Sequence, residues 1–392
     1  MYKVYRSCPI CNGTDIEKLH RQRFELPEGH PLSNGYDVVI CNICGFVYAN
    51  TSATQADYDR FYAEQSKYED IGTGTGGITN PFDWKRQQDT ARQINEFIQN
   101  PKARILDVGC ANGGLLKALK DLGYRNLLGI DPSAVCVKNT RALGIEAQVG
   151  SLSEPIGARF DCVILSHTLE HVQNIEPAAI WIRNSMKEDA IIYIEVPDAS
   201  RYADFVDAPF QDFNTEHINH FSLTSLKNYL HTHHFESVEW GEKVIPASVN
   251  KPYPAIFCFA RKSDKTLGID KDTKLRNEIN RYISLSQNIL DDIEMRLKKS
   301  LANSNRVIIW GVGQLAMKLL AETSLANAQI VAFVDSNPMN QGKILRGLKI
   351  ISPESVIQFT EPILISSTLH QQSIVEQIQK MGLNNSIILL RD

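Results

Sequence analysis

The chain reads as an α/β protein built on a parallel sheet with helices on both faces. Three observations predict this. Short apolar runs alternate with helix-period segments from Arg104 to Val196, the pattern of strands buried on both faces. A strand, a glycine-rich loop and a helix follow one another at residues 103–122 and again at 306–316. Two C-x-x-C pairs precede the first of these units, where a small metal-held module is expected.

At 392 residues the chain has length for two or three domains, with a real core in at least two of them. A formal charge of -4 with 22% charged residues is ordinary for a soluble protein, and no basic excess points to nucleic acid. No apolar run approaches the ~20 residues of a membrane helix. The opening Met-Tyr-Lys-Val-Tyr-Arg-Ser-Cys lacks the apolar segment of a secretory signal. These features predict a cytoplasmic protein with a small-molecule partner, no nucleic acid and no membrane, and leave the oligomeric state open.

Residues 1–70 form the expected zinc-binding module. Cys8-Pro-Ile-Cys11 and Cys41-Asn-Ile-Cys44 offer four thiolates that close a tetrahedral shell without an open position for water, which is a structural zinc site. Gly45 permits the turn that aims backbone amides at sulfur. Between the knuckles Arg21 and Arg23 are offset by Glu17, Glu25, Glu28 and Asp37, so no basic stripe forms. Cys110, Cys136, Cys162 and Cys258 sit in apolar surroundings and read as core filling. A helix over Tyr58–Tyr68 and a hinged lid over Gly72–Gly77 are expected next.

Residues 71–265 carry the central α/β pattern. A helix over Asp83–Gln99 leads into strands at Arg104–Gly109, Leu127–Asp131, Glu146–Val149, Phe160–Ser166 and Ala190–Val196. Two later runs, Ser237–Val244 and Ala255–Arg261, have no long helix between them and pair as an antiparallel edge. Asp107 precedes a loop reading Gly109-x-Ala111-x-Gly113-Gly114, and Asp131 closes the next strand about 20 residues after the first glycine, where an acid can hold ribose hydroxyls. A nucleoside-bearing cofactor follows, although the loop departs from G-x-G-x-x-G.

That loop, Asp107-Val-Gly-x-x-x-Gly113, resembles motif I of class I S-adenosylmethionine-dependent methyltransferases. Gly150-Ser151-Leu152, Phe160–His167 and Leu169-Glu170-His171-Val172 follow in the family's order. The resemblance implies a central seven-stranded, Rossmann-like methyltransferase domain that uses S-adenosylmethionine. It assigns Asp107, Gly109, Ala111, Gly113, Asp131, Ser151, Leu152 and Ser166 to the cofactor. Glu170 reads equally well as a solvated helix-start carboxylate.

The segment Asp212-Phe-Asn-Thr-Glu-His-Ile-Asn-His-Phe-Ser222 narrows the resemblance. With a zinc ribbon before the methyltransferase centre and a further domain after it, the chain resembles sugar C-methyltransferases that act on nucleotide-linked keto-deoxysugars. Carbon beside a ketone must lose a proton before it attacks a methyl donor, so a base and an enolate stabiliser are required. The resemblance makes His217 that base, with Glu216 beside it and His171 near the enolate. Where the family commonly has a catalytic Tyr, this chain has Asn214, which donates a hydrogen bond but exchanges no proton. An O-methyltransferase of a sugar or glycolipid therefore stays open, as does a noncatalytic nucleotide-binding scaffold. The spacing of His217 and His220 would allow a metal, without an apparent third ligand. His231, His233 and His234 read as surface residues at a helix end.

In residues 266–392 a polar linker over Ser263–Asp272 leads to a helix with Leu275, Ile279, Ile283, Leu290, Ile293 and Leu297 on one face. Gly311-x-Gly313-x-x-Ala316 and Asp335 then fit a dinucleotide fingerprint, with strands at Lys349–Ile351, Pro362–Ile365 and Ile387–Leu390. The length is about half of a full two-lobed Rossmann domain. The resemblance implies a C-terminal Rossmann-like domain that helps hold a nucleotide sugar; a purely architectural role is the alternative.

Overall fold

The computed structural model describes residues 3–64, 69, 76–152, 154, 156–248, 251–265, 268–302 and 305–391. They form two compact units, one of residues 1–19, 38–205 and 216–279, the other of 20–37, 206–215 and 280–392.

The N-terminal strands are β1 (Ile16–Arg23), β2 (Gly35–Cys41) and β3 (Val47–Asn50). The first C-x-x-C turn precedes β1, and the second joins β2 to β3. Helix α1 (Gln55–Glu64) starts earlier than expected because Thr54 caps it. The Asp57 carboxylate accepts from the Thr54 amide at 2.9 Å while the Asp57 amide donates back to Thr54 Oγ1, a reciprocal cap. Residues 65–68 of the expected helix and 72–75 of the expected lid lie outside the described residues. Helix α2 (Pro81–Ile98) is set by Asn80, whose side chain accepts from the Phe82 and Asp83 amides, and by a proline in its first turn.

From there strand and helix alternate: β4 (Arg104–Val108), α3 (Gly114–Asp121), β5 (Asn126–Asp131), α4 (Ala134–Ala142), β6 (Glu146–Val149), β7 (Phe160–Ser166), α5 (Ile175–Ser185) and β8 (Met186–Pro197). A two-residue strand β9 (Asn219–His220), helix α6 (Leu223–Thr232) and the hairpin β10 (Phe235–Ser248) and β11 (Lys251–Lys262) complete the unit. The sheet order is β10-β11-β8-β7-β4-β5-β6, with β11 antiparallel to both neighbours and the core strands parallel. This is the seven-stranded α/β sheet that the resemblance implied.

Alternation along β4 divides the core. Leu106 and Val108 face a layer with Val163, Ile192, Ile194 and Trp181, whereas Ile105 faces Ala91, Ile94, Leu116, Ile164 and Tyr193. The first layer also contains Cys8, Cys41, Cys44, Phe46 and Tyr48, so the cysteine module and the central sheet share one core. Cys110, Cys136, Cys162 and Cys258 are all buried, as expected. The order turns back at β4, which leaves a crevice at the carboxyl ends of the strands.

The second unit is held by α7 (Leu275–Leu301), whose first residues belong to the other unit, and by β12 (Arg306–Trp310), α8 (Gln314–Glu322), β13 (Gln329–Val334), β14 (Ile344–Leu345), β15 (Leu348–Ile351), β16 (Ile363–Ile365), α9 (Gln371–Lys380) and β17 (Ile387–Leu389). Its sheet order is β14-β15-β13-β12-β16-β17, parallel apart from β14. Asp335, after β13, accepts from the Val312 amide at 2.8 Å, the Asn337 amide at 2.8 Å and Asn340 Nδ2 at 3.0 Å.

Candidate active site

The loop after β4 crosses towards β5. The Gly109 and Cys110 amides both donate to the Ile130 carbonyl, at 2.8 and 3.0 Å. Gly109 and Gly113 have φ of 73° and 76°, and a Cβ on them would come within 2.9 Å of Thr168 Oγ1 and 2.8 Å of Thr140 Oγ1. Both positions therefore require glycine. Ala111 is also left-handed, at φ 45°. Its amide donates to Asp131 Oδ2 at 2.9 Å, and Ser133 donates to Oδ1 at 2.9 Å.

Asp107, Gly109, Ala111 and Asp131 line one wall of a cavity of about 400 Å³, together with Gly150, Ser151, Leu152 and Ser166. Gly113 does not line the cavity and is the N-cap of α3. Burial pushes the Asp131 carboxyl up to about 6. Burial, with the charge of Asp131, pushes Asp107 up to about 8. Two buried acids call for donors from a ligand, and the hydroxyls and ammonium group of S-adenosylmethionine are such donors.

The residues that follow β7 line the same cavity. His167 has φ 55°, and its Nδ1 lies 3.2 Å from Glu170 Oε1 and its Nε2 3.0 Å from Glu195 Oε1. Burial opposes the imidazolium, but the two carboxylates outweigh it and hold the His167 pKa above its ordinary value. Burial likewise opposes the Glu195 charge; Lys243 and His167 beside it outweigh that and keep its carboxyl well below the usual range. Glu170 is 1% exposed, which overturns the reading of a solvated helix-start carboxylate.

His171 ends a single 3-10 turn, Leu169–His171. Its Nδ1 donates to the Glu216 carbonyl at 3.1 Å, and its ring meets His217 edge-on at 4.9 Å and Tyr62 at 5.7 Å. Tyr62, His171 and His217 line the same cavity as the loop, whereas the Glu216 side chain is buried. Segment 216–220 is fixed by backbone. Ile218 donates to the Glu170 carbonyl and accepts from Ala49, both at 2.9 Å, and β9 pairs antiparallel with β3. Asn219 Nδ2 donates to the Leu169 and Val172 carbonyls at 2.8 Å. The Arg6 guanidinium donates to the Ile218, Val172 and Gln173 carbonyls.

Several expectations need correction. His220 does not join His217: it is buried in β9, opposite Val47, with its ring edge-on to Tyr202 at 6.0 Å. Burial and the charge of Arg6 lower its pKa to about 3. Glu170 takes its place, and one ligand atom each from Glu170, His171 and His217 lie within 4.8 Å of one another. His233 is partly buried against Tyr229, whose ring is 4.9 Å away, while His234 is exposed. Asn214 belongs to the other unit, where its Nδ2 donates to the Gln211 carbonyl at 3.2 Å and its carbonyl accepts from Tyr36 at 2.7 Å.

Residues that sequence reasoning missed are Arg6, His167, Glu195, Asn219 and Lys243. Glu195 left a signal, an acid inside the apolar run Ile191–Val196.

The four paired cysteines come together, with Cys8 and Cys44 Sγ 3.5 Å apart and Cys11 and Cys41 Sγ 3.5 Å apart. Sulfurs on a tetrahedral zinc ion are about 3.8 Å apart, so the cluster is compatible with zinc. The two knuckles use the same turn. Gly45 follows the second at φ 80°, and Asn12 follows the first at φ 57°, where Asn tolerates the left-handed region.

Residues 82–239 match the family model described as Methyltransferase domain, and residues 303–389 match one described as C2185-like, N-terminal. Similar solved structures include a Burkholderia thailandensis 1,6-didemethyltoxoflavin-N1-methyltransferase with bound S-adenosylhomocysteine, at 18% identity over 46% of this chain and 80% of that one, TM-score 0.37. A Methanosarcina mazei S-adenosylmethionine-dependent methyltransferase is similar at 17% identity over 44% and 98%, TM-score 0.37. A possible histamine N-methyltransferase from Thermotoga maritima is similar at 17% identity over 47% and 90%, TM-score 0.36. No curated protein sequence matches the chain significantly. The family model and the sheet order agree: the chain contains a class I S-adenosylmethionine-dependent methyltransferase domain and is an enzyme of that class.

Proposed function

We propose that this methyltransferase alkylates the carbon beside a ketone on a nucleotide-linked deoxysugar. The observation that carries this reading is the single cavity shared by the cofactor loop and by the facing pair His171 and His217. S-Adenosylmethionine supplies an electrophilic methyl group, and Asp131 and Asp107 hold it against the loop. His217 removes the proton beside the ketone. His171, whose Nδ1 donates to the Glu216 carbonyl, stands next to the developing enolate, and the Tyr62 phenol beside it is the donor to that oxygen. Glu216 supports His217. The four cysteines hold a structural zinc ion, and the C-terminal glycine loop has an architectural role. Asp335 already takes three internal donors, which favours a loop that braces its domain over one that grips a ribose.

The test offers nucleotide-linked 4-keto-deoxysugars to the enzyme in deuterated water. The proton beside the ketone should exchange without a methyl donor, and the product should carry its new methyl on carbon. His217→Ala should stop exchange while S-adenosylhomocysteine still binds; full exchange by that variant would rule the base assignment out. Asn214 in place of the family's Tyr favours a second reading, transfer to a sugar hydroxyl. NMR of the product separates a C-methyl from an O-methyl group.

A further inference from the structure

We propose that Glu170, His171 and His217 form a metal site separate from the four cysteines and take one divalent transition ion. Two imidazoles and a carboxylate lining one pocket are a donor set suited to Zn²⁺, Fe²⁺, Co²⁺ or Ni²⁺. Their ligand atoms lie within 4.8 Å of one another. Donors about 2.1 Å from a common tetrahedral ion stand about 3.4 Å apart, so rotation of the side chains towards the ion brings all three donors onto it.

Two further observations point to a ligand there. Glu170 Oε1 lies against His167, but Oε2 is buried and accepts no hydrogen bond among the described residues, a costly state for a carboxylate that a cation relieves. His171 donates from Nδ1 to the Glu216 carbonyl, which places its lone pair on Nε2. A backbone carbonyl behind the imidazole is the arrangement that fixes the tautomer of metal-ligating histidines. His167 in turn anchors Glu170 through Oε1 at 3.2 Å, the oxygen that lies 3.9 Å from His171 Nε2.

All three residues line the cavity, so the remaining coordination positions face the space where an acceptor sits and suit oxygen donors. The site has a functional cost that rests on His217 being the base. An ion there occupies the lone pair that would take the proton, so metal-loaded enzyme loses proton exchange and a chelator restores it.

The experiment uses the full chain with zinc already on its cysteines, titrated with Zn²⁺ by calorimetry and checked by metal analysis. Wild type should take up one further equivalent. His171→Ala and His217→Ala should each lose it, Glu170→Gln should bind at least tenfold more weakly, and S-adenosylhomocysteine affinity should stay within about threefold in all, which reports that they fold. No second equivalent in wild type, or a second equivalent retained by both histidine variants, would overturn the site. The acceptor chemistry is read separately: uptake accompanied by unchanged exchange supports the site while removing His217 as the base.

Discussion

The Ala111 amide and the Asp131 carboxylate are 2.9 Å apart, and this bond binds the glycine loop to the acid that follows the next strand. Only one oxygen of Asp131 is aimed at the loop; the other accepts from Ser133. Asp131→Asn removes the charge on which cofactor hydroxyls would converge. Hydrogen bonds to a charged group contribute about 1.5–3 kcal/mol, so S-adenosylhomocysteine should bind about 10- to 100-fold more weakly by calorimetry.

Cofactor affinity should depend on pH through the same residue. In the free enzyme burial raises Asp131 to about 6, while hydroxyl donors favour its ionised form. Below that value a proton must leave on binding. Affinity should therefore climb by up to about tenfold per pH unit towards pH 6 and then flatten, with proton release detectable in buffers of different ionisation enthalpy. Asp107, raised to about 8 by burial and by Asp131, stays protonated across that window. An affinity that falls between pH 5 and 6 would contradict the assignment.

Gly113→Ala should lower stability by about 1–3 kcal/mol in denaturant melts, because a left-handed residue gains a Cβ that would sit 2.8 Å from Thr140 Oγ1. Gly313→Ala, in the second glycine loop, meets nothing within 4 Å and is not left-handed. It should cost little, and a loss equal to that of Gly113→Ala would remove the steric explanation.

Lys243→Met leaves the Glu195 carboxylate buried beside His167 without its ammonium partner. Removing one side of a buried ion pair costs about 3–5 kcal/mol. Glu195 is held below its ordinary value of 4.5, so its contribution is complete above that pH and is lost as pH falls through the depressed value. Acid denaturation of the wild type should therefore steepen below pH 4.5, and Lys243→Met should show less of that dependence.

Mercurial treatment should release one zinc ion from the four cysteines, measured with a chromogenic chelator, and lower the thermal midpoint. The fall should be large, because Cys8, Cys41 and Cys44 share a core with Leu106 and Val163 of the central sheet.

Local pattern made much of this legible. Apolar runs placed β4, β5 and β7 nearly to the residue, and the spacing of the glycines exposed the loop because its φ values demand them. Pairings between distant segments were not legible. Nothing near Glu170 announces that Ile218 will bond its carbonyl, or that Arg6 will reach the carbonyls of Val172 and Gln173. For the same reason His220 looked like a partner of His217. In a strand adjacent side chains alternate, and only the pairing with β3 shows which of these faces is the core.

That pairing also makes the four-cysteine module and the pocket two ends of one thermodynamic cycle. The strand that follows Cys44 holds Ile218, whose neighbour is His217, and Arg6, two residues before Cys8, clasps the turn after His171. If the ion orders this lattice, an occupant of the pocket must in turn tighten the ion's binding, since coupling between two ligands is reciprocal. Zinc affinity, measured against a competing chelator at equilibrium, becomes a gauge of pocket occupancy, readable without any methyl transfer.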